Sequence, residues 1–153
     1  MTPQESPRSP LPLPVQRLNR DVPLPHYAYA GDAGLDLCAA ADLSIAPQQR
    51  ALIPTGLKVA IPVGYAGFVL PRSGLAIDKG LTLVNSPGLI DSHYRGEVKI
   101  IALNTDVSQT ITVHKGERIA QLVVLATPAV QIQEREVVDN TSRGSGGFGS
   151  SGR

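Results

Sequence analysis

Asn85-Ser86-Pro87-Gly88-Leu89-Ile90-Asp91-Ser92-His93-Tyr94-Arg95-Gly96-Glu97 is the stretch around which the chain is organised. Asn85, Ser86, Pro87 and Gly88 are turn formers that cannot all sit inside a strand or helix. Leu89-Ile90 is a short apolar step that delivers a carboxylate, Asp91. A second break at Ser92-His93 precedes Tyr94. From Glu97 to Asn104 the alternation of period two predicts a strand, with Val98, Ile100 and Ala102 on one face. Asp91 and Tyr94 therefore fall in a hairpin-like loop feeding a buried strand, and loops held by a rigid scaffold are where catalytic groups concentrate. An ordinary aspartate titrates near ~3.9 and is an available base at neutral pH. Loop aspartates also cap turns, so composition alone leaves the role of Asp91 open.

Outward from this stretch the same texture continues. The chain carries 15 glycines and 13 prolines among 153 residues, and they punctuate apolar runs every few positions. Strands are predicted over 57–61, 65–70, 81–84, 97–104, 110–114 and 118–125, with a last one over 130–138. Short strands with regular turn signals predict an all-β sandwich, jelly roll or barrel. The exception is Ser73–Lys79: Ser73 can cap a helix, Leu75, Ala76 and Ile77 continue it, and Gly80 ends it. Free N–H groups at its start, beside Arg72 and the Ser73 hydroxyl, form a candidate anion site, although a capped surface turn has the same composition.

The length fits one domain. A net charge of +1 gives no field pointing to nucleic acid or to an anionic membrane. No run approaches the ~20 apolar residues of a membrane span. Cys38 stands alone, which suits a reducing, cytoplasmic setting. His26, His93 and His114 are scattered, against a zinc site. There is no P-loop. Gly144 to Gly149 satisfies a dinucleotide-binding glycine pattern, but no helix and second strand follow it. Residues 1–20, with Pro3, Pro7, Pro10, Pro12 and Pro14, are expected to be an extended or disordered segment. Residues 21–138 form the β core, and 139–153 are a flexible Gly/Ser-rich arm. A plain linker has no need of Arg143 and Phe148, since a guanidinium grips phosphates and a ring stacks on a base.

Five blocks in order carry a family resemblance: Ala33-Gly34-Leu35-Asp36-Leu37, Pro71-Arg72-Ser73-Gly74-Leu75-Ala76, Gly88 to Glu97, Gly116-Glu117-Arg118-Ile119-Ala120-Gln121-Leu122, and Arg143 to Gly152. Together they resemble the signature motifs of the trimeric dUTPases, in a bacterial form. The resemblance implies a distorted jelly-roll or β-clip barrel with one short helix, assembled as a homotrimer. It implies a dUTP diphosphatase that hydrolyses dUTP to dUMP and pyrophosphate with Mg²⁺. The residue matching Asp91 activates water against the α-phosphate. Those matching Arg72, Ser73, Gly74, Gln121 and Arg143 hold phosphates. The backbone around Leu89, Ile90 and Asp91 and at Lys99, with the Asn85 amide, reads uracil. Tyr94 packs under the deoxyribose. Phe148, Gly149, Ser150 and Ser151 belong to an arm that closes over the nucleotide. Ser151 stands where threonine is common, and His93 where another residue is common. Asp36 is expected to reach Mg²⁺ through water, the metal lying mainly on the triphosphate. Arg95 and Glu97 are expected to form an ion pair supporting the hairpin. Each site takes Asp91 from one subunit and the arm from another. Two alternatives remain: a dCTP deaminase of the same fold, and a non-catalytic nucleotide-binding protein.

Overall fold

The computed structural model describes residues 10–148. Apolar runs cut by Gly and Pro can become only short strands, and ten form: β1 Val15–Arg17, β2 Leu35–Cys38, β3 Leu43–Ile45, β4 Arg50–Val59, β5 Tyr65–Pro71, β6 Leu81–Leu83, β7 Gly88–Ile90, β8 Glu97–Asn104, β9 Ile111–Val113 and β10 Arg118–Ala126, with one helix, α1 Ser73–Lys79. They make two four-stranded antiparallel sheets, ordered β1-β4-β8-β6 and β2-β10-β5-β7, and a two-stranded β3-β9 ribbon. This is an all-β fold of jelly-roll type.

The alternation expected for β8 is realised. Val98, Ile100 and Ala102 are buried, while Lys99 and Ile101 face outward. Ile53 on β4 lies opposite Ile100 and Leu83 on β6 opposite Ala102. These side chains join Leu37, Ile45, Leu57, Val59, Ile61, Ile119 and Leu122 in one core drawn from all the sheets. At ~25 cal/mol per Å² of apolar surface removed from water, that burial is the main force holding the sheets together. Two polar side chains, Thr55 and Asn104, are fully enclosed with them. Asn104 donates to the carbonyls of Ile45 at 2.9 Å and Gln109 at 2.8 Å and accepts from the Asp106 N–H at 2.9 Å. It thereby clamps the end of β8 to β3 and to the turn before β9.

Several expectations are corrected. The strand predicted over 57–61 begins at Arg50: Pro54 and Gly56 disguise its first half, and a register shift between Pro54 and Lys58 absorbs them. The N-terminal segment was expected to be extended or disordered through residue 20. Val15–Arg17 instead pairs with Leu57–Val59, because the prolines end at Pro14 and leave donors free beyond it. No strand forms over 130–138; its valines and Ile132 are exposed and find no partner edge among the described residues. Helix α1 spans the predicted residues, but its N-cap is Arg72, with no side-chain capping bond, so Ser73 is the first helical residue and not the cap. Gly80 ends it in the left-handed region at φ 68, which a glycine adopts without steric cost. No helix among the described residues is long and apolar enough to cross a membrane.

Candidate active site

Two separate cavities carry the chemistry. The first lies where β7 meets β8. Pairing of Leu89 with Phe68 and Ile90 with Gly67 seats β7 on the edge of β5, and the chain then turns at Asp91, whose carbonyl accepts from the Tyr94 N–H at 3.1 Å. The Tyr94 hydroxyl donates to the Glu97 carbonyl at 2.9 Å, which folds the ring back over Gly96. A Cβ on Gly96 would collide with that ring, so the position tolerates only glycine while Tyr94 keeps this pose. The resulting cavity, of about 140 Å³, is lined by Asn85, Leu89, Ile90, Tyr94 and Lys99 together with inner strand residues. The exposed Asp91 carboxylate follows directly from Ile90 at its edge. The expected Arg95–Glu97 ion pair is not formed. Arg95 donates to the carbonyls of Ser92 at 2.7 Å and Tyr94 at 2.8 Å. Glu97 accepts from the Gly56 N–H at 2.9 Å and pairs with Lys99 at 3.6 Å. The short carboxylate is nearer to the backbone of the adjacent β4 than to a loop arginine that can satisfy its own turn.

The second cavity, of about 460 Å³, opens between β2, β10 and the end of β5 and is lined by Tyr29, Asp32, Asp36, Arg72, Arg118 and Gln121, among others. Register brings them together: Gln121 faces both Asp36 and Leu70 across the sheet. Gly34 leaves room for Gln121, whose Oε1 would lie 2.7 Å from a Cβ there. Asp36 is only 5% exposed and lies 3.2 Å from Arg118 Nη1 and 3.4 Å from Arg72 Nε. Behind it, burial and then the Asp36 carboxylate push the Cys38 thiol above its ordinary value, against the opposing effect of Arg118 and Arg72. Cys38 therefore stays a neutral thiol in the wall. Glu117 is held below the usual carboxylate range. Its desolvation is outweighed by the His114 N–H at 3.1 Å and the Lys79 ammonium at 3.1 Å, which tie the end of α1 to the turn before β10.

Among the described residues no group of three or more His, Cys, Asp or Glu side chains could hold a metal ion. Both oxygens of Asp36, the one carboxylate expected to meet Mg²⁺, face guanidiniums. The described residues form no resident Mg²⁺ site.

Ser73 and Gly74 are exposed beside Arg72 at the start of α1. Arg143 folds onto its own turn, its Nε donating to the Gly146 carbonyl at 2.7 Å, and Phe148 is fully exposed; neither borders either cavity. Gly149, Ser150 and Ser151 lie outside the described residues. Arg118 was not singled out from the sequence. Its position in the fourth block was visible, but its partner Asp36 is 82 residues away.

Asp91 and Arg72 stand at different levels of β5, and Val69 between them lines the first cavity. Ile90 pairs with Gly67 near the start of β5, and Arg72 follows its far end. Asp91 is level with Ala66, six residues from Arg72, or roughly 20 Å along the strand at ~3.3 Å per residue.

The chain is similar to known proteins in both sequence and fold. The dUTPase of Staphylococcus bacteriophage 80alpha, solved with dUpNHpp, superposes with a TM-score of 0.87 at 29% identity, covering 93% of this chain and 99% of that one. The deoxyuridine 5'-triphosphate nucleotidohydrolase of Rhodococcus erythropolis is 47% identical over 142 residues, 93% of this chain and 87% of the relative. That of Mycobacterium leprae is 50% identical over 145 residues, 92% of this chain and 94% of the relative. The dUTPase family model matches residues 20–152, and with relatives at this identity over nearly the whole chain, the protein belongs to the dUTPase family.

Proposed function

We propose that this protein hydrolyses dUTP to dUMP and pyrophosphate in the cytoplasm, as a homotrimer with shared active sites. The observation that carries the reading is the pair of half-sites. One cavity is suited to a base and sugar and the other to phosphates, and the register of β7 on β5 sets Asp91 and Arg72 roughly 20 Å apart along the strand. In a closed three-fold ring the base cavity of one subunit meets the cationic cavity of the next. The Arg143–Gly152 arm of another subunit covers the pair, which fits the placement of Arg143 and Phe148 away from both cavities in their own chain.

In this reading uracil enters the cavity beside Leu89 and Ile90, where backbone groups there and at Lys99, with the Asn85 amide, meet its edge. Tyr94, held by its bond to Glu97, lies under the deoxyribose and leaves no space for a 2′-hydroxyl. Asp91 accepts a proton from a water as that water's oxygen bonds to the α-phosphorus. The bond from the α-phosphorus to the bridging oxygen breaks, and pyrophosphate leaves with the electron pair. Arg72, Ser73, Gly74, Gln121 and Arg143 neutralise and orient the triphosphate, the larger part of catalysis in such transfers. Phe148, with Gly149, Ser150 and Ser151, closes over the base. Mg²⁺ arrives on the phosphates as part of the substrate, as suits a cation that keeps several waters.

Pyrophosphate release from a panel of dUTP, UTP, dTTP and dCTP tests this, with ammonia assayed alongside. Release from dUTP alone is expected. Ammonia from dCTP, or no turnover of dUTP, would refute it.

A further inference from the structure

Residues 91–96, between β7 and β8, must hold Asp91 in one direction, and few bonds shape them. The Asp91 side chain is exposed, so its aim is inherited from the backbone of the turn. Tyr94 is fixed at two points, by its N–H on the Asp91 carbonyl at 3.1 Å and by its hydroxyl on the Glu97 carbonyl at 2.9 Å. Ser92, the residue directly after Asp91, is held differently. Arg95 Nη1 donates to the Ser92 carbonyl at 2.7 Å and to the Tyr94 carbonyl at 2.8 Å. One nitrogen thus ties the free half of the turn to the half that Tyr94 has already fixed. Both bonds carry the charge of the guanidinium, which makes them stronger than bonds between neutral groups.

Arg95 also connects this turn to the sheet. With Pro14 and Ala60 it lines two clefts, one reaching along the N-terminal segment to Ser92 and His93, the other along Lys58 and Val59. The Ala60 N–H donates to the Pro14 carbonyl at 2.9 Å, at the end of the β1–β4 pairing, so that wall is hydrogen-bonded backbone. The nearby Glu97 does not draw the guanidinium away, because it is engaged by the Gly56 N–H and by Lys99.

We infer that Arg95 is a positioning residue: it fixes the peptide between Asp91 and Ser92 and so aims the Asp91 carboxylate at its water. The inference rests on the proposed dUTP hydrolysis and names a further residue for it. Without Arg95 the Ser92 carbonyl loses its donor, and Asp91 swings with the loosened backbone. A reacting group displaced by ~1 Å can cost about 10²-fold in rate. Tyr94 keeps both of its own bonds, so the seat of the sugar stays. Because a single nitrogen makes both bonds, the planar fork of arginine is not required, and the donors of a lysine ammonium can replace it.

The test compares Arg95→Met, which keeps an apolar stem and removes the donors, with Arg95→Lys. Pyrophosphate release from dUTP and from UTP is measured for each, with thermal unfolding alongside. Arg95→Met is expected to lower kcat roughly 10- to 100-fold, with KM and the preference for dUTP over UTP changed by less than about 2-fold and the melting temperature unchanged. Arg95→Lys should recover kcat to within about 3-fold of the unaltered chain. The inference is overturned by an Arg95→Met variant that turns over normally, by a loss that lies in KM or in sugar preference, or by Arg95→Lys as slow as Arg95→Met. An Arg95→Met chain that does not fold also overturns it, since the arginine would then hold the fold and not the aim of Asp91. Turnover of dUTP by the unaltered chain is measured in parallel. Its absence would sink the proposed activity, whereas the other outcomes, seen beside normal turnover of the unaltered chain, sink only the role of Arg95.

Discussion

Mixing two inactive chains puts the shared-site geometry to its most direct test. Asp91→Ala removes the proposed base and Arg72→Ala removes part of the phosphate clamp. The register of β7 on β5 separates Asp91 from Arg72 by roughly 20 Å, whereas a general base must come within ~3 Å of its water and a clamp within ~3 Å of the same substrate's phosphates. In the proposed homotrimer the two roles fall to different chains. In a three-fold ring, each site then pairs the Asp91 of one subunit with the Arg72 of the next. Around any mixed ring there is one step at which a chain with intact Asp91 meets a chain with intact Arg72, so each mixed trimer has one complete site in three. Random reassembly of equal amounts makes about three quarters of the trimers mixed, so activity returns to roughly a quarter of the unaltered enzyme, given closed three-fold symmetry. The two variants are unfolded and refolded together, and pyrophosphate release from dUTP is compared with each variant refolded alone. A mixture as inactive as its parents refutes the reasoning, because sites built within single chains would each lack one part.

Asp91→Asn lowers kcat by roughly 10²–10⁴-fold, the weight of a general base, with dUTP affinity retained; near-normal turnover removes Asp91 from the mechanism. Gly96→Ala places a methyl where the Tyr94 ring lies. Since that ring is half-exposed and can swing away, the core keeps its melting temperature, but the Tyr94–Glu97 bond of about 1 kcal/mol is lost and the preference for dUTP over UTP falls roughly 5-fold. An unchanged preference in paired kinetic assays places sugar selection elsewhere. Phe148→Ala costs roughly 5- to 150-fold in kcat/KM, the range of base–aromatic stacking, and leaves the melting temperature of the ligand-free protein unchanged because the ring touches no core. A large fall in that temperature refutes the arm reading. Asn104→Ala leaves three backbone groups, one buried and two half-buried, without their partner and costs about 2–4 kcal/mol. At ~2–4 °C per kcal/mol for a chain of this size, calorimetry should record a drop of about 5–15 °C.

Alternation of period two and punctuation by Gly and Pro are local properties, and local steric rules act on them directly. The sequence by itself therefore determined the all-β class, the span of α1, and β5, β8 and β10 to within a residue or two. The five blocks likewise contain residues that line both cavities, because the segment leading to Asp91 and the segment before α1 are each contiguous. Strand pairing is not local, and there the sequence fell short. Residues 130–138 have strand-forming composition but no neighbouring edge in their own chain, while Val15–Arg17 has little composition to announce it and gains an edge from β4. The partners of charged side chains depend on register in the same way. Arg95 and Glu97 are close in sequence yet turn to different carbonyls and N–H groups. Asp36, Arg72 and Arg118 are far apart in sequence and meet because β10 runs between β2 and β5. Only the tertiary structure decided which carboxylate is buried, which arginines it holds, and which residues line each of the two cavities. A charge finds its partner through the packing of whole sheets, and nothing in its sequence neighbours encodes that distance.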